Sequence, residues 1–210
     1  MPGFIYLPVP TQEMLKFAEQ FQDSQNTQGK EKYTILHNYE SGWRKGFTRA
    51  VGLGVLRNVA AKDKLYVICH GATMGSRFTG ARRGAVQQGN EWKGGELKKY
   101  SPDQLAQVIQ KEGLTTTFVR LYLFVCGSGL VPATQAKSFA EGVAIGLGDL
   151  GYSHIRVVGY LGEVSADGGF GVLKSTGPRG GGYYPLNENM VAFGPSGGQV
   201  PIPALMDAGV

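Results

Sequence analysis

The chain has 210 residues, of which 42% are hydrophobic, and a formal net charge of +5 at pH 7. Those values suit one packed domain and exclude a disordered chain. The basic residues are scattered, as in Arg44, Lys45, Arg49, Arg57, Arg82, Arg83, Lys98 and Lys99, so a solvated surface is expected and not a nucleic-acid interface.

The two cysteines, Cys69 and Cys126, make no disulfide framework, and no apolar run approaches a membrane span. The opening stretch "MPGFIYLPVP" is too short and too broken by proline for a signal peptide. Synthesis in a reducing cytoplasm is therefore expected, and any secretion or delivery into a host cell would proceed without a conventional signal peptide.

In "TQEMLKFAEQFQ" (11–22), Met14, Phe17, Ala18 and Phe21 recur at helical spacing behind a capping Thr11. Residues 1–30 are read as an N-terminal helical extension. "KYTILHN" (32–38) is a strand candidate, and residues 42–60 suit a helix with Trp43, Phe47, Ala50, Val51 and Leu56 on its buried stripe. "KLYVIC" (64–69) is an apolar run of strand length that stops at His70 and Gly71. Glycine, 33 residues in all, concentrates at 71–95 and 162–198, where turns, hairpins and loops over a site are expected.

"SPDQLAQVIQKEG" (101–113) carries every helix signal: Ser101 as cap, Pro102 in the first turn, Gln104 closing a capping box, and Gly113 as the stop. The strand "RLYLFVC" (120–126) ends at Cys126 and Gly127. A helix near 134–150, with Phe139, Val143, Leu147 and Leu150 on one side, and the strand "HIRVVGYL" (154–161) follow. Alternating strands and helices with continuous apolar strands predict an α/β fold, a mostly parallel central sheet flanked by helices on both faces. Residues 31–161 form its core, and 162–210 are expected as a β-hairpin flap and an irregular tail, all within a single domain.

The chemistry gathers at the two rhyming strand ends. In an open parallel sheet, ligands sit outside the carboxyl ends of the strands. A thiol is a strong nucleophile as thiolate, and an imidazole can take its proton and pass it to a leaving group. His70 and Cys126 thus read as a catalytic dyad, provided their strands are neighbours. Gly71 and Gly127 leave backbone uncovered there and are the candidates for an oxyanion site. Ser128, Glu163 and Trp92 are the candidates for substrate contact: the first follows the cysteine, the second lies in the stretch 160–170, and Trp92 lies in the long loop 71–100 as cleft cover or local anchor.

Other patterns fail on context. "GLGDLG" (146–151) closes a helix instead of following a strand, so it is no dinucleotide loop. In "CGSGL" the positions two residues either side of Ser128 are Cys126 and Leu130 where a serine elbow has glycines, and "GATMGSRFTG" lacks the Gly-Lys-Ser/Thr of a phosphate loop. Cys69, His70, Cys126 and His154 match no zinc spacing, so no metal is expected; Cys69 suits the core, His154 a helix end, and His37 a strand end.

An apolar block ending in His-Gly, followed by one ending in Cys, resembles the caspase-like clan (clan CD) of cysteine peptidases, and most closely the self-processing cysteine protease domains of bacterial toxins. "SPDQLAQVI", "SFAEGVA" and "GYLGEVSADGG" resemble the helices and the Glu-Val strand leading into the β-flap of those domains. The resemblance spans about residues 30–195. It implies a caspase-like fold and a cysteine endopeptidase that acts on protein or peptide and is self-processing or delivered as an effector. It also implies inositol hexakisphosphate as a cofactor, for which the flap offers Lys174 and Arg179. Two alternatives keep the same fold: a thiol-dependent deamidase or acyltransferase on the same dyad, and a catalytically silent binding domain that meets a partner through the basic surface.

Overall fold

The apolar runs ending at His70 and Cys126 become adjacent strands. The computed structural model describes residues 2–27, 33–38, 54–89, 91–166, 174–176, 183–185 and 188–202. Strand β1 (Gly3–Leu7) leads into helix α1 (Gln12–Thr27), then come β2 (Thr34–His37) and β3 (Lys64–Ile68). A nested hairpin of β4 (Thr79–Arg83), β5 (Val86–Gln88), β6 (Glu91–Lys93) and β7 (Glu96–Tyr100) follows. Next in the chain are α2 (Pro102–Lys111), β8 (Arg120–Phe124), α3 (Phe139–Asp149) and β9 (Arg156–Tyr160). The last elements are β10 (Val164–Ser165), β11 (Lys174–Thr176), β12 (Tyr183–Pro185), β13 (Met190–Phe193) and β14 (Gln199–Val200).

The central sheet runs β14-β13-β9-β8-β3-β1-β2. Its five strands from β9 to β2 are mutually parallel, and β13 and β14 add antiparallel strands at one edge. Side chains of β3 and β8 are buried on both faces, as continuous apolar runs in a parallel sheet require: Leu65, Val67, Ile68, Leu121, Leu123 and Phe124 have no exposed surface. On one face α1 lays Phe21 against Tyr66 and Phe124, with ring centroids 4.8 and 5.0 Å apart. On the other, a Cβ on Gly159 would lie 2.7 Å from the Ala140 Cβ of α3, so glycine there lets helix and strand approach closely. The mixed α/β fold with a mostly parallel sheet and helices on both faces is therefore present.

Helix α2 forms as its signals dictate. Ser101 accepts from the Gln104 amide, the Gln104 side chain accepts from the Ser101 amide, and Leu105, Val108 and Ile109 are buried. Ser138 caps α3, its Oγ accepting from the Glu141 amide.

Three expectations change. Residues 3–7, read as part of a helical extension, are instead a strand of the sheet, hydrogen-bonded to β2 on one side and β3 on the other. Residues 190–193, assigned to an irregular tail, pair with β9 and extend the sheet. The helix expected over 42–60 lies largely outside the described residues, Trp43, Phe47, Ala50 and Val51 included; its described end, from Gly54, consists of turns, with Leu56 buried. Among the described residues, no helix is long and apolar enough to cross a membrane.

Candidate active site

The register fixes the relation between the two strand ends. Ile68 is paired with Phe124 as the last partners of β3 and β8, and His70 and Cys126 each follow two residues later. Both therefore leave the same edge of the sheet at the same level. The chain turns from β1 toward β2 on one side and from β3 toward β8 on the other. The crevice between the ends of β1 and β3 is thus the switch point where parallel sheets place their ligands.

Glu13 enters that crevice. Thr11 caps α1, its hydroxyl accepting from the Met14 amide at 3.1 Å, and so sets Glu13 in the first helical turn, where a carboxylate is favoured. Its Oε1 lies 2.8 Å from His70 Nε2. A carboxylate can only accept, so the Nε2–H of the ring points at Glu13 and the neutral imidazole carries its lone pair on Nδ1. The His70 side chain is 56% exposed, open to a substrate on its remaining sides. Its backbone is clamped: the amide donates to Gly80 O, the carbonyl accepts from the Gly80 amide, and Thr79 Oγ1 donates to the same carbonyl at 2.9 Å. The sequence alone assigns no acidic partner to His70. The legible signal for Glu13 is an acid one residue into a capped helix that follows an apolar strand. Asp63 serves a turn, its Oδ2 accepting from the Ala60 amide.

Cys126 sits where β8 breaks. Val125 N–H turns back to Leu123 O at 2.8 Å, and Ser128 N–H and Leu130 N–H close successive turns onto Val125 O and Gly127 O. The thiol faces β10 and accepts from Val164 N–H with Sγ 3.5 Å from the nitrogen. Burial pushes the Cys126 thiol up from its ordinary value, the nearby Glu163 carboxylate adds to that, and the N–H groups of Val164 and of Cys126 itself act in the opposite sense. Among the described residues the imidazole and the thiol are not hydrogen-bonded to each other; each is held by its own neighbour, Glu13 and Val164.

Ser76, which sequence reasoning missed, stitches the two loops together. Its buried Oγ donates to Cys126 O at 2.9 Å and accepts from Ala72 N–H at 2.7 Å. Gly71 lies against this junction: a Cβ there would come within 2.4 Å of both Cys126 O and Ser76 Oγ. Gly127 adopts φ +60°, and a Cβ on it would approach Ala72 O to 2.1 Å.

The oxyanion assignment divides. Gly71 N–H has no hydrogen-bond partner among the described residues, whereas Gly127 N–H donates to Gly162 O at 2.7 Å and is already committed. Ser128 is also corrected. It is fully buried, its Oγ donating to Leu123 O and accepting from Tyr160 N–H, so it fastens β8 to β9 and meets no substrate. Glu163 is exposed beside the thiol, its backbone held by Thr176 Oγ1.

Trp92 lies with His70 and Glu13 in the lining of a cavity of about 590 Å³ whose wall is the hairpin β4–β7. Cys69 is a free, buried core thiol. His154 precedes β9, at the opposite edge of the sheet from the site, and His37, at the end of β2, is held below its ordinary value by burial. No cluster of three metal-ligating side chains occurs among the described residues.

A polyphosphate site needs a dense set of cations. The described part of the flap, β10 to β12, contains one basic residue, Lys174, and Arg179 lies outside the described residues. These residues do not fit inositol hexakisphosphate. Comparison of the chain with protein-family models, with curated proteins and with solved structures found no match.

Proposed function

We propose that the chain is a cysteine endopeptidase of caspase-like type in which Cys126 is the nucleophile, His70 the general acid and base, and Glu13 the residue that positions His70. The observation carrying this reading is the strand register: β3 and β8 are parallel neighbours whose ends deliver an imidazole and a thiol to one edge at one level.

The course is that of acyl transfer. Cys126 gives its proton to His70 Nδ1, the nitrogen left with a lone pair by the Glu13 contact. Sγ attacks the carbonyl carbon of the substrate, and negative charge develops on its oxygen, for which Gly71 N–H is the uncommitted donor at the loop junction. The C–N bond breaks as the imidazolium protonates the amine, leaving a thioester on Cys126. His70 then takes a proton from water, whose oxygen attacks the thioester, and the thiol regains that proton as the acid departs.

Alkylation with iodoacetamide at neutral pH, read by peptide mass spectrometry, tests the assignment. Cys126, partly exposed, should react faster than the buried Cys69, and a peptide mixture should be cut without release of ammonia. Two equally sluggish thiols with no cleavage would sink the peptidase reading, and ammonia release without cleavage would replace it with deamidation.

A further inference from the structure

The proposed chemistry leaves unused the side chains that surround the imidazole on the hairpin side. Phe78 and Leu97 are 42% and 52% exposed, large apolar groups in water, and with the half-buried Trp92 they line the cavity beside His70. Arg77, Arg82 and Lys99 line it as well, and among the described residues none of the three is ion-paired with a carboxylate. Lys99 Nζ rests 4.6 Å from the centre of the Phe78 ring, so cation and apolar wall adjoin. The one acid in the lining, Glu13, is committed to His70. A wall of this kind matches a ligand with a bulky apolar group next to negative charge.

Position along the sheet edge says which ligand. The strand order β1-β3-β8-β9 sets Glu13, His70, Cys126 and Glu163 in a row. The cavity lies at the Glu13–His70 end of that row, and Cys126 is not part of its lining. In acyl transfer the departing amine takes its proton from the imidazole, so the chain that leaves with that amine lies on the His70 side.

We propose that this cavity is the binding site for the leaving side of the substrate: a large apolar or aromatic residue directly after the cleaved bond, followed by acidic residues that face Arg77, Arg82 and Lys99. The proposal rests on the peptidase reading and adds a substrate class to it. Phe78, Leu97 and Trp92 receive the apolar side chain, and the three cations select against basic sequences by repulsion as much as they attract acidic ones.

The leaving-side product can be tested without any turnover. Titration calorimetry on Cys126→Ala protein, with the amidated peptides Phe-Glu-Glu, Ala-Glu-Glu and Phe-Lys-Lys carrying free amino termini, should find the first bound about tenfold more tightly than either other. Arg82→Glu combined with Lys99→Glu, both exposed positions, should invert the preference for Glu over Lys, and Leu97→Asp should abolish the preference for Phe over Ala. Equal binding of all three peptides, or none, overturns the assignment while fast alkylation and peptide cleavage by the unmodified chain leave the peptidase reading standing. Slow Cys126 alkylation with no cleavage defeats that reading itself, and acidic-peptide binding by such a chain would overturn a leaving-side role.

Discussion

Glu13 Oε1 and His70 Nε2 stand 2.8 Å apart, one from the helix that follows β1 and the other from the end of β3, so the ring is oriented by an element 57 positions away in sequence. If Glu13 acts only through that ring, Glu13→Gln should lower kcat by about a hundredfold with KM little changed. Glu13→Asp, which keeps the charge but shortens the reach, should recover part of the loss. Thermal unfolding of the three proteins should differ by only a few degrees, because an ion pair with the half-exposed His70 ring contributes little stability. Equal losses for Gln and Asp would assign Glu13 no orienting role.

The two cysteines should separate cleanly. Cys126→Ala should abolish peptide cleavage and leave the fold intact. Cys69, buried in the core, acts as a small hydrophobe, and Cys69→Ala should cost about 1 kcal/mol in urea denaturation while activity persists. Equal loss of activity in both variants, with folding intact, would contradict the assignment of the nucleophile.

The thiol should respond to its acidic neighbour. Burial and the Glu163 carboxylate both disfavour the thiolate of Cys126. Glu163→Gln removes the second of these, so the pH midpoint for iodoacetamide alkylation of Cys126 should move down and the rate at neutral pH should rise. An unmoved midpoint would show the carboxylate to be too well screened to matter.

Much of this architecture was legible because it depends on local rules. The capping box at Ser101 and Gln104 and the apolar runs ending at His70 and Cys126 are short-range signals, and each forms as read. What escaped depends on distance. Residues 3–7 read as part of a helical extension until β2 and β3 are present to pair with both edges. Ser76 and Glu13 gain meaning only when loops 50 and 57 positions apart converge. Ser128 misled for the opposite reason: proximity in sequence to Cys126 suggested substrate contact, but the turn after β8 drives its hydroxyl inward to join two strands.

That reassignment of Ser128 has a measurable consequence. Ser128→Ala leaves Tyr160 N–H buried without its acceptor and Leu123 O without the serine hydroxyl, which should cost about 1–3 kcal/mol. The urea midpoint should fall with an unchanged slope, and KM for any substrate cut by the remaining folded protein should be unaltered. A raised KM at full stability would restore Ser128 to the binding surface.

Alkaline pH should unfold the chain through its aromatic face. Tyr66, Tyr122 and Tyr160 are all pushed up by burial, and Tyr152 is pushed up to about 12 by the same cause while its hydroxyl donates to Leu114 O. An unfolded tyrosine loses its proton near pH 10. Above that pH the unfolded chain holds fewer protons than the folded one, so stability present below pH 10 drains away as pH rises toward the folded values. Each such tyrosine can contribute a slope of about 1.4 kcal/mol per pH unit in that window. Thermal unfolding between pH 8 and 11 should therefore show a level midpoint that begins to slip as the Cys126 thiol titrates in the unfolded chain, then drops steeply past pH 10. Tyr152→Phe should start lower, having lost the Leu114 hydrogen bond, and fall less steeply. Parallel curves for the two proteins would mean that the Tyr152 hydroxyl ionises as readily in the folded chain as in the unfolded one.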